Sequence, residues 1–468
     1  MNEIKDLTNV TFNEIEIGAS ATFSHTLTEP DIQLLALASG DVDIFNIQPD
    51  TRSASKAMTT IDGSAAAAFI SLAIGTELPG PGMHIREQNL CFNGTISTGD
   101  TLIATVVAVE KLKEDNQVVF DCRCTNQDGI QLVTGKLTVS APVEKITYSG
   151  VVEPQLTLRR GDAFVKLLRD CDKIPPVTCV VAHPCDRDSL LGPIEAAQRG
   201  IIKPVLVGPE DRIREVAAAE DIDISSYRIV SAPHSHAAAE KAVELVRKGE
   251  ADALMKGSLH TDELMGAVVK SDTGLRTAKR ISHVFVMDVP AYPRPILITD
   301  AAINIYPKLE DKAEIIQNAV DLAHILGIEQ PKVAILSAVE TINTRILSTL
   351  DAAALCKMAD RGQITGAILD GPLAFDNAIS MAAAQTKGIV SPVAGQADIL
   401  LVPDLEAGNM LAKQLSYLAG AEGAGIVMGA SVPIVLTSRA DSVRSRIASI
   451  AVMALVANAS AKRKTMVR

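Results

Sequence analysis

The sequence predicts an α/β protein in two parts, an antiparallel sheet around one helix followed by a longer parallel sheet with flanking helices. Three observations support this prediction. One apolar, helix-like run precedes a series of alternating segments in residues 1–145. From residue 161 onwards, short apolar runs alternate with helical patterns. Between them, the stretch 146–160 follows a mixture of Pro, Ser and Glu and is predicted to be a linker.

The first part contains one predicted helix. Residues Ser64–Gly75 are apolar nearly all round, which is typical of a helix buried on every side. Turn signals separate the strand-like segments that follow it. These segments are His84–Phe92, Thr101–Val109, Gln117–Thr125 and Ile130–Ser140. One buried helix before an antiparallel meander indicates a sheet wrapped around that helix.

The second part has the rhythm of βαβ units. Its predicted strands are Val177–Ala182, Pro204–Val207, Tyr227–Val230, Pro295–Ile298, Val333–Leu336, Ala367–Leu369, Ile399–Val402 and Pro433–Leu436. Helical patterns of the usual length separate most of them, which favours a parallel sheet. Ligands of such sheets bind at the carboxyl ends of the strands.

Composition and charge exclude several functions. The chain has 468 residues and a net charge of −12, and nucleic-acid partners require a basic face instead. Its seven cysteines form no CxxC pair, so neither a disulfide framework nor a zinc site is expected. The start lacks the apolar core of a signal peptide, and the longest apolar stretches, Ala65–Ile74 and Ile447–Ala459, are too short to cross a bilayer. A cytoplasmic enzyme without membrane attachment is predicted.

Five polar clusters follow predicted strands of the second part. They are Lys256–Thr261, Asp300–Asn304, Asp370–Asp376, Pro403–Asn409 and Ser438–Asp441. Any one of them alone is more often an ordinary turn than a site. Five at successive strand ends favour one convergent site instead.

These clusters resemble the phosphate acetyl/butyryltransferase family over about Leu158–Lys464. The matching segments are KGSLHT, RISHVFVMD, DAAINIYP, DGPLAFDNA, PDLEAGN and PIVLTSRADS. The resemblance implies two α/β subdomains around a cleft, similar to the isocitrate/isopropylmalate dehydrogenase fold, with subdomain I at 161–295 and 429–468 and subdomain II at 296–428. It also implies exchange of an acyl group between coenzyme A and phosphate. The small-molecule substrates would be acyl-CoA, phosphate, acyl phosphate and coenzyme A, with no bound cofactor or metal, in a homo-oligomer.

The resemblance also implies roles for single residues. Arg439 would hold the phosphoryl group, Ser438 would bond to the reacting centre, and His260 would line the acyl-phosphate side. The implied substrate-binding residues are Lys256, Gly257, Ser258, Thr261, Arg276, Arg280, Asp300, Asn304, Asp370, Gly371, Asp376 and Asn409. For Arg276 and Arg280, a role as solvated surface charges is as good an interpretation as substrate binding.

One position departs from the acetyl-type members of the family. Those members carry an Asp a few residues after the Ser-Arg pair, and this Asp is proposed as the base for the CoA thiol. The corresponding residue in this chain is Ser445. Asp441 is the nearest carboxylate in sequence. Either Asp441 replaces that base or none is used, since a thiol with a pKa near 8.5 needs only modest help.

The first part resembles the MaoC-like, (R)-specific enoyl-CoA hydratases, which have a hot-dog fold. Active members carry a motif of the form S-G-D-x-N-P-x-H, in which Asp and His activate water. Here Asp41 is kept, Asn46 stands in the His position, and a usual His-Gly pair reads Asp62-Gly63. Because Asn is no base near neutral pH, weak or lost hydratase activity is predicted.

Three other interpretations stay open at this point. The first part could be an active hydratase, which would make the protein bifunctional. The whole chain could be a CoA-binding or regulatory protein without turnover. The second part also resembles metal- and NADP-dependent decarboxylating dehydrogenases, but no carboxylate set is clearly spaced for their metal.

Overall fold

The computed structural model of this chain describes residues 5–28, 31–32, 34–35, 60–151, 162–438 and 441–466. The chain forms two compact units, Met1–Leu158 and Arg159–Arg468. Each unit has its own sheet and its own hydrophobic core.

In its described residues, the first unit has an antiparallel sheet that packs against the helix Ala67–Thr76. Its strands are β1 (Lys5–Thr8), β2 (Ser20–Thr26), β3 (Thr60–Asp62), β4 (His84–Phe92), β5 (Thr95–Ser97), β6 (Thr101–Leu112), β7 (Gln117–Thr125), β8 (Gln131–Ser140) and β9 (Thr147–Val151). The main sheet has the order β2-β6-β7-β8-β4, with every neighbour antiparallel. Helix α1 (Ala67–Thr76) continues a 3-10 turn and packs against β2, β6 and β7.

The sequence pattern explains this packing. Alternate residues of β6 are buried, and they share a core with Ile70 and Ile74 of α1 and with Phe120 of β7. Period-2 burial on the strand and an apolar helix are what a one-sided sheet needs. The prediction of an antiparallel sheet around one helix is confirmed.

The linker prediction of 146–160 needs correction at its start. Residues 147–151 form β9, which pairs antiparallel with β1. The side chain of Asn9 fixes the approach to β9, because its Oδ1 accepts the Ile146 amide at 3.0 Å and its Nδ2 donates to the Glu144 carbonyl at 2.9 Å. A partner strand far away in sequence is not visible in a local pattern.

The second unit is built on one sheet of eleven strands. These are β10 (Val177–Ala182), β11 (Ile202–Gly208), β12 (Arg228–Ser231), β13 (Ala253–Lys256), β14 (Ser282–Asp288), β15 (Ile296–Thr299), β16 (Lys332–Leu336), β17 (Ile368–Leu373), β18 (Ile399–Leu401), β19 (Glu422–Met428) and β20 (Ile434–Val435). Their order is β12-β11-β10-β13-β20-β19-β14-β15-β18-β16-β17.

Eleven helices of the described residues belong to this unit. They are α2 (Asp162–Cys171), α3 (Arg187–Gln198), α4 (Glu210–Ala219), α5 (Ser235–Arg247), α6 (Thr261–Val268), α7 (Leu309–Ile325), α8 (Leu347–Asp360), α9 (Phe375–Ile379), α10 (Met381–Thr386), α11 (Leu405–Tyr417) and α12 (Val443–Met466). Among the residues that the structure describes, no helix is long and apolar enough to cross a membrane.

The prediction of a parallel sheet needs correction, because the sheet is mixed. Strands β14 and β19 run antiparallel to their neighbours and separate two parallel groups, β12-β11-β10-β13-β20 and β15-β18-β16-β17. The sequence analysis assigned neither of them as a strand. Both are largely buried on both faces, so they lack the alternation that marks a half-exposed strand.

Helix α12 covers the middle of this sheet. Its buried apolar residues from Ala448 to Ala457 belong to the largest core cluster of the unit. It packs against β19 and α3. The apolar run of the last segment is therefore a core helix of the second unit.

Candidate active site

Three neighbouring parallel strands, β10, β13 and β20, end at the same edge of the sheet. The loop after β13 is joined to the loop after β10 by backbone bonds. The amide of Gly257 donates to the Ala182 carbonyl at 2.9 Å, and the amide of Ser258 donates to the His183 carbonyl at 2.7 Å. A Cβ at Gly257 would lie 2.4 Å from the Ala182 oxygen, so only glycine fits there.

Lys256 joins β13 to the loop after β20. Its residue is 3% exposed, and its Nζ donates to the carbonyl of Thr437 at 3.2 Å. A buried ammonium is costly unless hydrogen bonds and charges compensate it. The predicted residue Lys256 and the predicted Ser438 loop are thus brought together.

Asp186 belongs to the same group of loops, and the sequence analysis missed it. It caps helix α3 by accepting the amide of Ser189 at 2.9 Å. Burial opposes its ionisation, but hydrogen bonds from Ser258 and Ser189 and the charge of Arg446 outweigh burial and keep the pKa of Asp186 below its usual value. The sequence contained a signal for this residue, because the segment His183–Asp186 directly follows the correctly predicted strand β10.

Arg446 is the second residue that the sequence analysis missed. It lies in the first turns of α12, is 1% exposed, and donates hydrogen bonds to Thr437, Ser438 and Asp441. Arg446 directly precedes the apolar stretch Ile447–Ala459, and this position could have drawn attention to it. A charged residue at the edge of an apolar stretch is either solvated or paired. The sequence alone does not decide between the two.

In the loop after β20, Ser438 and Asp441 are hydrogen-bonded to each other. The Ser438 amide donates to Asp441 Oδ2 at 2.7 Å, and the Asp441 amide donates to the Ser438 carbonyl at 3.2 Å. Burial raises the pKa of Asp441, while the Ser438 bond and the charges of Arg446, Lys256 and Lys413 oppose this rise. Arg439 lies outside the described residues.

Two further predicted residues lie at the start of helix α6. His260 and Thr261 are exposed, and Glu263 reaches back to accept the His260 amide at 3.2 Å. Lys256, Ser258 and His260 therefore lie within five consecutive residues between the end of β13 and the start of α6.

The predicted residues Asp300 and Asn304 form a separate, self-contained cluster. Asp300 is 2% exposed and accepts four N–H donors, from the amides of Ala302, Ile303 and Asn304 and from Asn304 Nδ2. Asn304 also donates to the Ile281 carbonyl at 2.9 Å and accepts Arg280 Nε at 2.8 Å. All four lone-pair positions of this carboxylate are used within the protein.

Arg280 and Arg276 differ in their partners. Arg280 pairs with Asp311 at 2.6 Å in addition to its bond with Asn304. Arg276 is exposed and its backbone forms an isolated antiparallel bridge with Ala430. The solvated interpretation fits Arg276, whereas Arg280 is part of the Asp300 cluster.

The remaining predicted residues lie in the other parallel group of strands. Asn409 donates to the Ala301 carbonyl at 3.2 Å and thereby connects α11 with the Asp300 loop. Asp370 accepts the amide of Gly371 at 2.8 Å, and Asp376 pairs with Lys387 at 3.5 Å. Asp370 belongs to β17 and Asp376 follows it, and this strand lies in the other parallel group of strands from β13.

An apolar pocket of about 330 Å³ lies at the carboxyl ends of β16 and β18. Leu336, Phe375 and Val402 line it together with one face of α11. It contains none of the predicted catalytic residues. No group of three metal-binding side chains occurs among the residues that the structure describes.

In the first unit, the predicted residues Asp41 and Asn46 lie outside the described residues. Gly63 begins the 3-10 turn that leads into α1.

Comparison with known proteins defines the class of the second unit. A family model described as "Phosphate acetyl/butaryl transferase" matches residues 235–454. A phosphate acetyltransferase of Rhizobium meliloti is 64% identical over 282 residues, which are 60% of this chain and 89% of that protein. A phosphate butyryltransferase of Clostridium beijerinckii is 45% identical over 294 residues, 63% of this chain and 97% of that protein. The second unit is thus of the phosphate acyltransferase class.

Solved structures agree for this unit. A branched-chain phosphotransacylase of Enterococcus faecalis V583 matches with a TM-score of 0.53 and 31% identity, covering 60% of this chain and 99% of that one. The chain belongs to the phosphate acetyl/butyryltransferase family. The (R)-hydratase PhaJ1 of Pseudomonas aeruginosa is 30% identical and covers 33% of this chain and 99% of that one, with a TM-score of 0.31. A score of that size carries no argument about the first unit.

Proposed function

We propose that the second unit transfers an acyl group between coenzyme A and phosphate at the loops after β10, β13 and β20. In the forward direction a phosphate oxygen bonds to the thioester carbonyl carbon, the carbon–sulfur bond breaks, and the CoA thiolate leaves and takes a proton. No covalent enzyme intermediate and no metal is needed for this exchange. The protein must hold a dianion beside a thioester and stabilise the developing oxyanion.

The observation that carries the proposal is the pair of buried cations beside these loops. Lys256 and Arg446 both bond to the loop that contains Ser438. Positive charge in a site of low dielectric attracts a phosphate dianion much more strongly than it would in water. Arg439 is proposed to hold the phosphoryl oxygens, because its planar fork binds two oxygens at once. Ser438 and His260 are proposed to contact the reacting centre.

Asp441 is the carboxylate that we propose as base for the CoA thiol. A carboxylate whose pKa is raised is a better proton acceptor than an ordinary one. Ser445, at the position of the family's Asp, donates its amide to Ser442 Oγ at 3.2 Å within the first turn of α12. It has no ionisable group to offer.

The finer architecture also belongs to this proposal. We propose subdomains at 161–295 with 429–468 and at 296–428, in the manner of the isocitrate/isopropylmalate dehydrogenase fold, and an oligomer of two or more chains. Acyl-CoA, phosphate and acyl phosphate are the proposed small-molecule partners, and the proposed location is the cytoplasm, where these metabolites occur.

A phosphate-dependent CoA-release assay tests the central proposal. It uses the full chain with acetyl-, propionyl- and butyryl-CoA, and it runs with and without phosphate. Wild type is expected to release CoA from at least one of them only when phosphate is present. Arg439→Ala is expected to lower this rate at least about 100-fold, as for loss of a transition-state charge contact.

Two results would contradict the proposal. Absence of phosphate-dependent release from every acyl-CoA would reject the activity. Full activity of a folded Arg439→Ala variant would reject the site.

For the first unit we propose a hydratase-like domain with weak or lost activity. The substitution of the expected His by Asn46 supports this, since the water-activating base is missing. The full chain, without phosphate, is expected to hydrate crotonyl-CoA no faster than Asp41→Ala. Hydration by wild type that Asp41→Ala abolishes would establish the bifunctional alternative.

A further inference from the structure

The side chain of Arg446 is buried beneath the loop that follows β20. Its residue is 1% exposed, which makes it the largest of the fully buried side chains among the described residues. Burying a guanidinium is unfavourable unless hydrogen bonds and opposite charges compensate it. The partners of Arg446 therefore indicate what this side chain is for.

Three hydrogen bonds connect the guanidinium with one short loop. Nη1 donates to Thr437 Oγ1 at 3.0 Å, Nη2 to the Ser438 carbonyl at 3.0 Å, and Nε to the Asp441 carbonyl at 3.3 Å. The bonds reach both ends of the turn that Ser438 and Asp441 close. A planar guanidinium with fixed donor directions sets both position and orientation of such a loop.

The stem of Arg446 runs along helix α3. Position 192 of that helix is glycine, and a Cβ there would lie 3.1 Å from Arg446 Cβ and 3.3 Å from its Cδ. Gly is less favourable than Ala inside a helix. Its presence at this contact leaves room for the arginine stem.

Arg446 also connects the other two loops of the cluster. Its charge acts on the carboxylates of Asp186 and Asp441, and Asp186 accepts a hydrogen bond from Ser258. Arg446 is thus hydrogen-bonded to the loop after β20, and its charge lowers the pKa of a carboxylate in the loop after β10.

We propose that Arg446 is a positioning residue for acyl transfer, which holds the Ser438 turn in its reactive geometry from beneath. This inference rests on the proposed function of the second unit. Arg446 need not touch substrate, because it acts through the backbone carbonyls of Ser438 and Asp441. A displaced turn would bind acyl-CoA but would present Ser438 to the reacting centre at the wrong distance, and displacements of about 1 Å can cost about 100-fold in rate.

The test compares Arg446→Lys, Arg446→Met and Gly192→Ala in the full chain by phosphate-dependent CoA release. Met and Lys have similar lengths, but only Lys keeps a charge and donors. We expect kcat to fall about 100-fold in Arg446→Met and about 10-fold in Arg446→Lys, with KM for acyl-CoA changed less than about 3-fold. Gly192→Ala is expected to lower kcat several-fold, because its Cβ would displace the stem of Arg446 although the loop sequence and the arginine itself are unchanged.

Arg444→Met is the matched control, because Arg444 lies on the same helix turn, is exposed and pairs with Glu422. Its kcat is expected to equal that of wild type. The inference fails if folded Arg446→Met keeps kcat within about 3-fold of wild type. If Arg446→Met does not fold, unchanged kcat in both Arg446→Lys and Gly192→Ala overturns it. An inactive wild type would instead reject the proposed function itself.

Discussion

Two polar clusters follow strands of the same sheet, and they are built in opposite ways. The Asp300 cluster surrounds a buried carboxylate with four N–H donors from its own loop. The second cluster, which we call the Ser438 cluster, contains the loop with Ser438 and the two buried cations Lys256 and Arg446. The predicted His260 is exposed. In the first cluster, all four N–H donors come from the same loop as the carboxylate that accepts them. In the second, two buried cations donate hydrogen bonds to the loop that contains Ser438.

The comparison teaches that a polar cluster at a strand end has two physical uses. A carboxylate with saturated lone pairs builds a loop, because it replaces the backbone partners that an irregular segment lacks. A cation beneath a loop instead favours an anionic ligand. We therefore propose that Asp300 and Asn304 belong to the scaffold and that Ser438 belongs to the chemistry.

The largest expected effect on stability is that of Asp300→Ala. Removal of this buried acceptor leaves four donors without a partner, which is expected to lower the free energy of unfolding by about 3–5 kcal/mol. Urea unfolding measures this. Asp272→Ala, at an exposed position of the same unit, is the control and should change the value by less than about 0.5 kcal/mol. Equal, small losses in both variants would mean that the Asp300 cluster is not the scaffold.

Gly257→Ala is expected to have the next largest effect. Its Cβ would overlap the carbonyls of Ala182 and His183, at 2.4 and 2.6 Å, so the loops after β10 and β13 must separate. We expect a loss of about 2 kcal/mol in unfolding free energy and a fall in kcat. In helix α6, Gly266→Ala meets nothing within 4 Å and should stabilise the chain by about 0.5–1 kcal/mol. A Gly257→Ala variant as stable and active as wild type would break the proposed coupling of these loops.

The smallest expected effect concerns pH. Burial raises the pKa of Asp441 in the folded state above its unfolded value, so the folded state holds this proton more tightly. The contribution of Asp441 is therefore most favourable at low pH and is lost as the pH rises through the raised pKa. Unfolding of wild type and Asp441→Asn between pH 4 and 7 measures it. Wild type should lose stability relative to Asp441→Asn as the pH rises, and the opposite slope would contradict the burial argument.

Much of the fold follows from local patterns. Strands β4, β7 and β10 were predicted with the bounds that the structure has, because each is bordered by clear turn signals and has the apolar pattern of its sheet. Strands β14 and β19 were missed because burial on both faces removes periodicity. Their omission hid the antiparallel pair that divides the sheet.

The site was predicted in part, for a similar reason. Lys256 is the last residue of β13 and Ser438 lies in the loop after β20; both belong to recognisable motifs, so they were found. Asp186 follows an equally clear strand, but its loop, His183–Asp186, was not among the five clusters. Arg446 donates hydrogen bonds to carbonyl oxygens of a loop, and its stem packs against Gly192 of another helix. No spacing in the sequence reveals such contacts.

One paired measurement tests the central claim most directly. Ser438→Ala and Asn304→Ala are compared by kcat for phosphate-dependent CoA release and by unfolding free energy. Ser438→Ala should lower kcat about 100-fold and change stability by less than about 0.5 kcal/mol, whereas Asn304→Ala should cost about 2 kcal/mol of stability and keep kcat per folded molecule within about 3-fold. The reverse result, with Asn304→Ala losing kcat at full stability and Ser438→Ala fully active, would contradict the assignment of chemistry to the cation-based cluster.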